Sequence, residues 1–145
     1  MAFIRQKCKS DCGIAVLAML CNVTYEQAYA AIVWKKKYVY YTSTKQLRDA
    51  ALKLGYRTES TPKQRLRVVR APGAWKNMRL AMAQDWWYLI PNNSLVKITS
   101  PDGRWHWVVW RKNKIYDPAR GVFHPGKHGA KPRSYMQFIK GEDNV

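Results

Sequence analysis

From residue 12 to 21 the chain reads CGIAVLAMLC, small and apolar all the way round a helical wheel. A helix without a polar face has to be wrapped by protein, so this segment predicts a central, buried helix. Asp11 stands at its N-cap position, where a carboxylate can accept from the free first-turn amides. Thr24, Tyr25, Glu26 and Gln27 then form a capping-box pattern. It predicts a second helix from 25 to about 34, with Lys35, Lys36 and Lys37 at the negative end of its dipole. Ser43 to Gln46 repeats the capping box. It opens a third helix through Leu54, with Leu47, Ala50, Ala51 and Leu54 on one face and Gly55 as the stop.

Beyond Gly55 the period changes. Residues 56–59 read as a short strand, and the apolar run 86–90 (WWYLI) as another, stopped by Pro91, Asn92 and Asn93. Residues 75–85 carry no firm pattern. Residues 94–99 and 105–111 read as antiparallel strands around a Ser-Pro-Asp-Gly turn, and Lys112 to Lys114 as a second turn leading through Ile115 and Tyr116 to Asp117 and Pro118. After Phe123 the tail is loop-rich except for 134–139. Helices first and antiparallel sheet afterwards predict the α+β class, with N-terminal helices packed on a C-terminal sheet. The expected layout is a single domain over 1–145: a helical half of about 1–55, a sheet half of about 56–124 and a C-terminal extension, 125–145.

Composition narrows the options. At 145 residues there is room for one core and not two. An apolar content of 47% with 13% aromatics excludes a disordered chain. No apolar run approaches the roughly 18 residues that a membrane span needs. Arg5, Lys7, Lys9 and Asp11 interrupt any signal-peptide core, so a cytoplasmic location is expected. Three cysteines, Cys8, Cys12 and Cys21, are an odd count and build no closed disulfide framework. Cys8 and Cys12 lie four apart, as do His124 and His128, but neither pair has the CxxC partner spacing, and Cys12 has a better role. No metal or cofactor is expected.

Charge changes the picture most. Twenty-six Lys and Arg against nine Asp and Glu give a net +17. An excess of that size attracts polyanions: nucleic acid, an anionic lipid surface or an acidic protein partner. Lys63, Arg65, Arg67 and Arg70 form one basic segment, and Arg104, Arg111, Lys112 and Lys114 another around the predicted hairpin. Trp86, Trp87, Trp105, Trp107 and Trp110 crowd the same half. Along the strand Trp105 and Trp107 share one face, and His106, Val108 and Trp110 the other. With both faces so apolar, most of these rings belong to the core. The competing reading is a stacking platform for single-stranded nucleic acid, which no recognised nucleic-acid motif supports.

The candidate chemistry lies elsewhere. Cys12 sits in the first turn of the buried helix, where unpaired amides favour a thiolate. Gly13 after it leaves the backbone open to a substrate carbonyl. A cysteine at a helix start is, taken alone, more often inert. His106 lies inside an apolar strand, where an imidazole needs a partner. Asp117, eleven residues on, ends the next strand, and a short hairpin brings 106 and 117 side by side. The order Cys, His, Asp is that of papain-like enzymes, with the acid orienting the base and the base serving the nucleophile.

Read together, the string from Gln6 through Asp11, Cys12 and Gly13 to Met19 resembles the N-terminal signature of the C39 family of papain-like cysteine peptidases. That signature has a Gln six residues before the Cys of Asp-Cys-Gly. His106-Trp-Val-Val and Tyr116-Asp117-Pro-Ala-Arg-Gly121 resemble the family's second and third blocks, so the resemblance covers roughly residues 4–121. It implies a papain-like fold and a catalytic set of Cys12, His106 and Asp117, with the Gln6 side chain and the Cys12 amide as oxyanion donors. Many members are N-terminal domains of ABC transporters that cut leader peptides after Gly-Gly; this sequence resembles a stand-alone member, so that preference is not carried over. The implied function is a cysteine peptidase-like hydrolase acting on a peptide or related amide. The alternative is a catalytically idle papain-like scaffold that binds nucleic acid, or an acidic nucleic-acid-handling partner, through its basic surface. The strong positive charge and the tryptophans, which are not part of the family signature, also fit a small viral or mobile-element protein working in a host cytoplasm.

Overall fold

The computed structural model describes residues 2–34, 42–60, 85–99 and 105–141. Helix α1, Cys12–Cys21, runs as its composition demands: every residue after Cys12 is buried, and Asn22 in the left-handed region turns the chain out of it. Helix α2, Tyr25–Ala31, begins at Thr24 with both halves of the capping box formed. It ends three residues earlier than the pattern predicts. Ile32 is extended, and Trp34 folds back so that its indole Nε1 donates to the Tyr29 carbonyl at 3.1 Å. The Tyr29 carbonyl, which also accepts the Ile32 amide at 3.3 Å, thereby gains a second, side-chain donor. Helix α3, Thr44–Lys53, starts on the Ser43–Gln46 capping box and buries Leu47, Ala50 and Ala51. Gly55 at φ 88° then reverses the chain into strand β1, Tyr56–Ser60.

The expected strand at 86–90 is instead part of a single helical turn, α4, Asp85–Tyr88. Trp87 and Ile90 point inward while Tyr88 and Leu89 are exposed, which is a helical step rather than an alternation. The Trp87 indole donates to the Ala130 carbonyl at 3.2 Å and fixes that choice.

Strands β2, Ser94–Thr99, and β3, Trp105–Arg111, pair antiparallel as predicted, with Ile98 opposite His106. Lys112 and Asn113 both take positive φ, the two-residue turn that suits the twist of a hairpin, and lead into β4, Lys114–Asp117. Next come β5, Gly121–Phe123, the one-turn helix α5, Pro125–His128, and β6, Lys131–Lys140. The segment 134–139, set apart from the loop-rich tail, is the middle of this inner strand, which extends it at both ends. Among the described residues the sheet order is β1-β6-β2-β3-β4-β5, antiparallel throughout.

Two apolar clusters pack around the sheet. One joins α1, α2 and α3 to Leu95, Val109, Met136 and Phe138. The other gathers Trp87, Ile90, Val96, Ile98, Val108, Trp110, Ile115 and Ala130. Trp110 and Trp87 are core rings, in tilted contact at 5.4 Å, whereas Trp105 is 61% exposed with Lys97 Nζ 4.3 Å over its face. No described helix is long and apolar enough to cross a membrane.

Candidate active site

Cys12 opens α1, and the residue before it does not do what its position suggests. Asp11 is fully buried, and its carboxylate makes no cap bond to the first turn. It points backward, accepting from the amides of Lys7 at 2.7 Å and Cys8 at 2.9 Å and from the Tyr25 hydroxyl at 2.6 Å. Burial pushes its pKa up, but these donors outweigh burial and hold it below the ordinary value. The carboxylate thus folds the 7–11 loop onto α2 and leaves the Cys12 and Gly13 amides to other acceptors. A capping carboxylate would have taken the Gly13 or Ile14 amide.

Gly13 also answers a different need from the one its sequence position suggests. It is buried, and a Cβ there would run into the Thr42 side chain, with Thr42 Cβ only 2.9 Å away. The glycine lets Thr42 close over the helix start. Gly13→Ala is expected to displace Thr42 and cost about 1–3 kcal/mol by overpacking, measured as a lower urea midpoint with an unchanged slope.

Asp117, at the end of β4, is the hub. Its Oδ1 lies 2.8 Å from His106 Nε2 and accepts the Ala119 amide at 2.9 Å. Its Oδ2 lies 2.7 Å from Nε2 of a second imidazole, His128. Burial alone would raise the Asp117 pKa, but the hydrogen bonds from both histidines and the charge of His106 drive it well below the carboxylate range. With Nε2 on Asp117, His106 also lies within interaction range of Cys12. Burial lowers the His106 pKa; the bonds to Asp117 and Cys12 and their charges overcome it and lift it to about 9.

The remaining candidate, Gln6, is delivered by the N-terminal segment docking on the turn after Asp117. Its amide donates to the Pro118 carbonyl at 2.9 Å, and Arg5 Nη1 donates to the Ala119 carbonyl at 3.0 Å. Gln6 Nε2 donates to the Cys8 carbonyl at 2.6 Å, while its Oε1 is buried with no partner among the described residues. A carboxamide nitrogen carries two hydrogens, so one donor remains. Beside this loop Lys7, Cys8, Tyr25, Glu26 and Tyr29 line an open groove of about 420 Å³. Lys7 lies over the Tyr25 ring at 4.2 Å and pairs with Glu26 at 3.4 Å.

The structure therefore brings Cys12, His106 and Asp117 together. It adds His128, which sequence reasoning considered only for zinc, and leaves its neighbour His124 exposed. Nothing in the run Pro125-Gly-Lys-His128 announces a buried imidazole; only its position after a proline turn, returning toward Asp117, hints at one. Of the basic candidates, Arg111, Lys112 and Lys114 cluster at the β3–β4 hairpin, with Arg111 paired to Lys114 in register. That is the far end of β3 from His106, about 16 Å away at the usual strand rise. Lys63, Arg65, Arg67, Arg70 and Arg104 lie outside the described residues.

The chain has the α+β fold of C39 peptidase domains, helices against an antiparallel sheet. One solved structure of this fold is a double-glycine-motif protease from an AMS/PCAT transporter in complex with leader peptide. It is 16% identical, covers 96% of this chain and 91% of its own, and superposes with a TM-score of 0.57. Another is the peptidase domain of Streptococcus ComA, a bifunctional ABC transporter of a quorum-sensing pathway. Its identity is 17%, with 97% of this chain and 98% of that one covered and a TM-score of 0.59. No family model and no curated protein matches the sequence.

Proposed function

We propose that the protein is a cysteine peptidase-like hydrolase that uses Cys12 to attack the carbonyl of a peptide or related amide. The observation that carries this reading is the Asp117 carboxylate, its Oδ1 held 2.8 Å from Nε2 of the same His106 that interacts with Cys12. In the reaction Cys12 Sγ adds to the carbonyl carbon, and its proton passes to His106. His106 returns that proton to the leaving nitrogen as the C–N bond breaks, leaving a thioester. It then takes a proton from water, the hydroxide adds, and the acid leaves as Cys12 regains its proton. The oxyanion would be met by the Cys12 amide and the second Nε2–H of Gln6, donors worth about 3 kcal/mol each in comparable sites. That a relative in fold is complexed with leader peptide supports a peptide substrate.

The net charge of +17 favours a second reading, in which the papain-like scaffold binds nucleic acid or an acidic protein partner. One experiment addresses both. The protein and Cys12→Ala are incubated with a peptide library, new termini are read by mass spectrometry, and binding to DNA, RNA and acidic proteins is titrated against salt. The hydrolase reading expects cleavage that Cys12→Ala abolishes; cleavage unchanged in that variant ends it. The scaffold reading expects association that survives Cys12→Ala and weakens steeply with salt. Salt-independent behaviour ends that one.

A further inference from the structure

We infer that His128 is a positioning residue for this site: its Nε2–H, held 2.7 Å from Asp117 Oδ2, fixes the carboxylate whose other oxygen holds His106. The inference rests on the thiol-hydrolase reading and extends the triad by one member.

Hydrogen bonding assigns the tautomer. The Ala130 amide points at His128 Nδ1 at 3.3 Å, so Nδ1 is a bare acceptor and the ring proton sits on Nε2, facing Asp117. His128 is itself anchored on several sides, although it lies in a one-turn helix. Arg120 Nη1 donates to its carbonyl at 3.1 Å, the Phe123 ring meets the imidazole edge-on at 5.4 Å, and Arg120 stacks over Phe123 at 4.8 Å. Gly129, at φ 83°, then turns the chain so that the Ala130 amide can reach back.

The two carboxylate oxygens are served unequally. Oδ1 has two donors, His106 and the Ala119 amide, whereas Oδ2 has His128. Asp117 is 1% exposed, so water does not replace a lost donor cheaply. Without His128 the carboxyl either rotates to seek another donor or takes up a proton more readily. Both loosen its hold on His106. The titratable groups facing Asp117 are His106 from β3 and His128 from α5, with Cys12 of α1 beyond His106. Among the described residues, Arg120 sits on the His128 carbonyl and Arg5 on the Ala119 carbonyl.

The test follows the rate at which iodoacetamide alkylates Cys12 across pH, read by peptide mass mapping, in the wild type, His128→Phe and His128→Gln. His128→Phe is expected to move the acid limb up by about one pH unit, which is about a tenfold slower rate on that limb. His128→Gln places an amide donor near the imidazole Nε2 position and is expected to keep the wild-type limb. A purely structural role would slow alkylation at every pH without moving the limb, and that result, or no change in either variant, overturns the inference. Should His128→Phe not fold, nitrogen-15 imidazole spectra of the wild type decide: an Nε2–H tautomer supports the role, and an Nδ1–H tautomer removes it. If wild-type Cys12 shows no reactivity advantage that His106→Ala removes, the hydrolase reading has failed and takes this inference with it. An intact advantage with an unmoved limb sinks the His128 role alone.

Discussion

Replacing His106 with Ala is expected to lower peptide hydrolysis about a thousandfold and to erase the preference of an electrophile for Cys12 over the other two thiols. The contrast among the cysteines is built into the fold. Cys21 is buried mid-core, where burial pushes its thiol up to about 12, so it should react slowest. Cys8 is exposed, its sulfur 3.5 Å from the Ser10 hydroxyl, and has no imidazole beside it among the described contacts. Among the described residues, Cys12 is the cysteine whose charge acts on a histidine, His106. Hydrolysis should also fade on the alkaline side as pH passes about 9, where His106 loses the proton it must hand to the leaving group. A rate constant for Cys12 that matches Cys8 and ignores His106→Ala would contradict the assignment.

The second large effect is expected at Asp117. Asp117→Ala strips the partner from two imidazoles and one amide at a position 1% exposed. It should cost about 3–5 kcal/mol at mildly acid pH, seen as a fall in urea midpoint, together with loss of hydrolysis. The pH dependence has two edges. Asp117 is depressed in the fold, so its contribution is present above the unfolded carboxylate value of about 3.9 and is lost as pH falls below it. His106 is raised, so its contribution is full below the unfolded value of about 6.5 and is lost as pH rises through about 9. The stability gap between wild type and Asp117→Ala should be widest from about pH 4 to 6.5 and narrow on both sides. A gap independent of pH would mean that the carboxylate contributes packing and not charge.

How much of this was legible depended on the range of the interactions. The buried helix and α3 follow from local pattern, because an all-apolar decamer and a capping box leave little choice. The β2–β3–β4 meander follows from alternation and turn residues, and it carries His106 to Asp117. Local pattern failed where a distant partner made the decision. Residues 86–90 suit a strand until the Ala130 carbonyl claims the Trp87 indole. Asp11 suits a cap until the amides of Lys7 and Cys8 and the Tyr25 hydroxyl claim its carboxylate. Strand β6 alternates, with Pro132, Met136 and Phe138 buried, yet its place between β1 and β2 rests on pairings that no short window contains. His128 had no pattern at all, since one imidazole in a turn becomes informative only once it is seen to meet Asp117 Oδ2.

The interior position of β6 bears on timing. It clamps β1 against β2, joining residue 56 to residue 140 and residue 94 to residue 137. Closing loops of that length is slow compared with forming a helix or a hairpin, so the sheet completes late. The sulfur of α1 and the ring of β3 are themselves separated by most of the chain, so their meeting is likewise a long-range closure. A nascent or partly folded copy therefore holds Cys12 apart from His106.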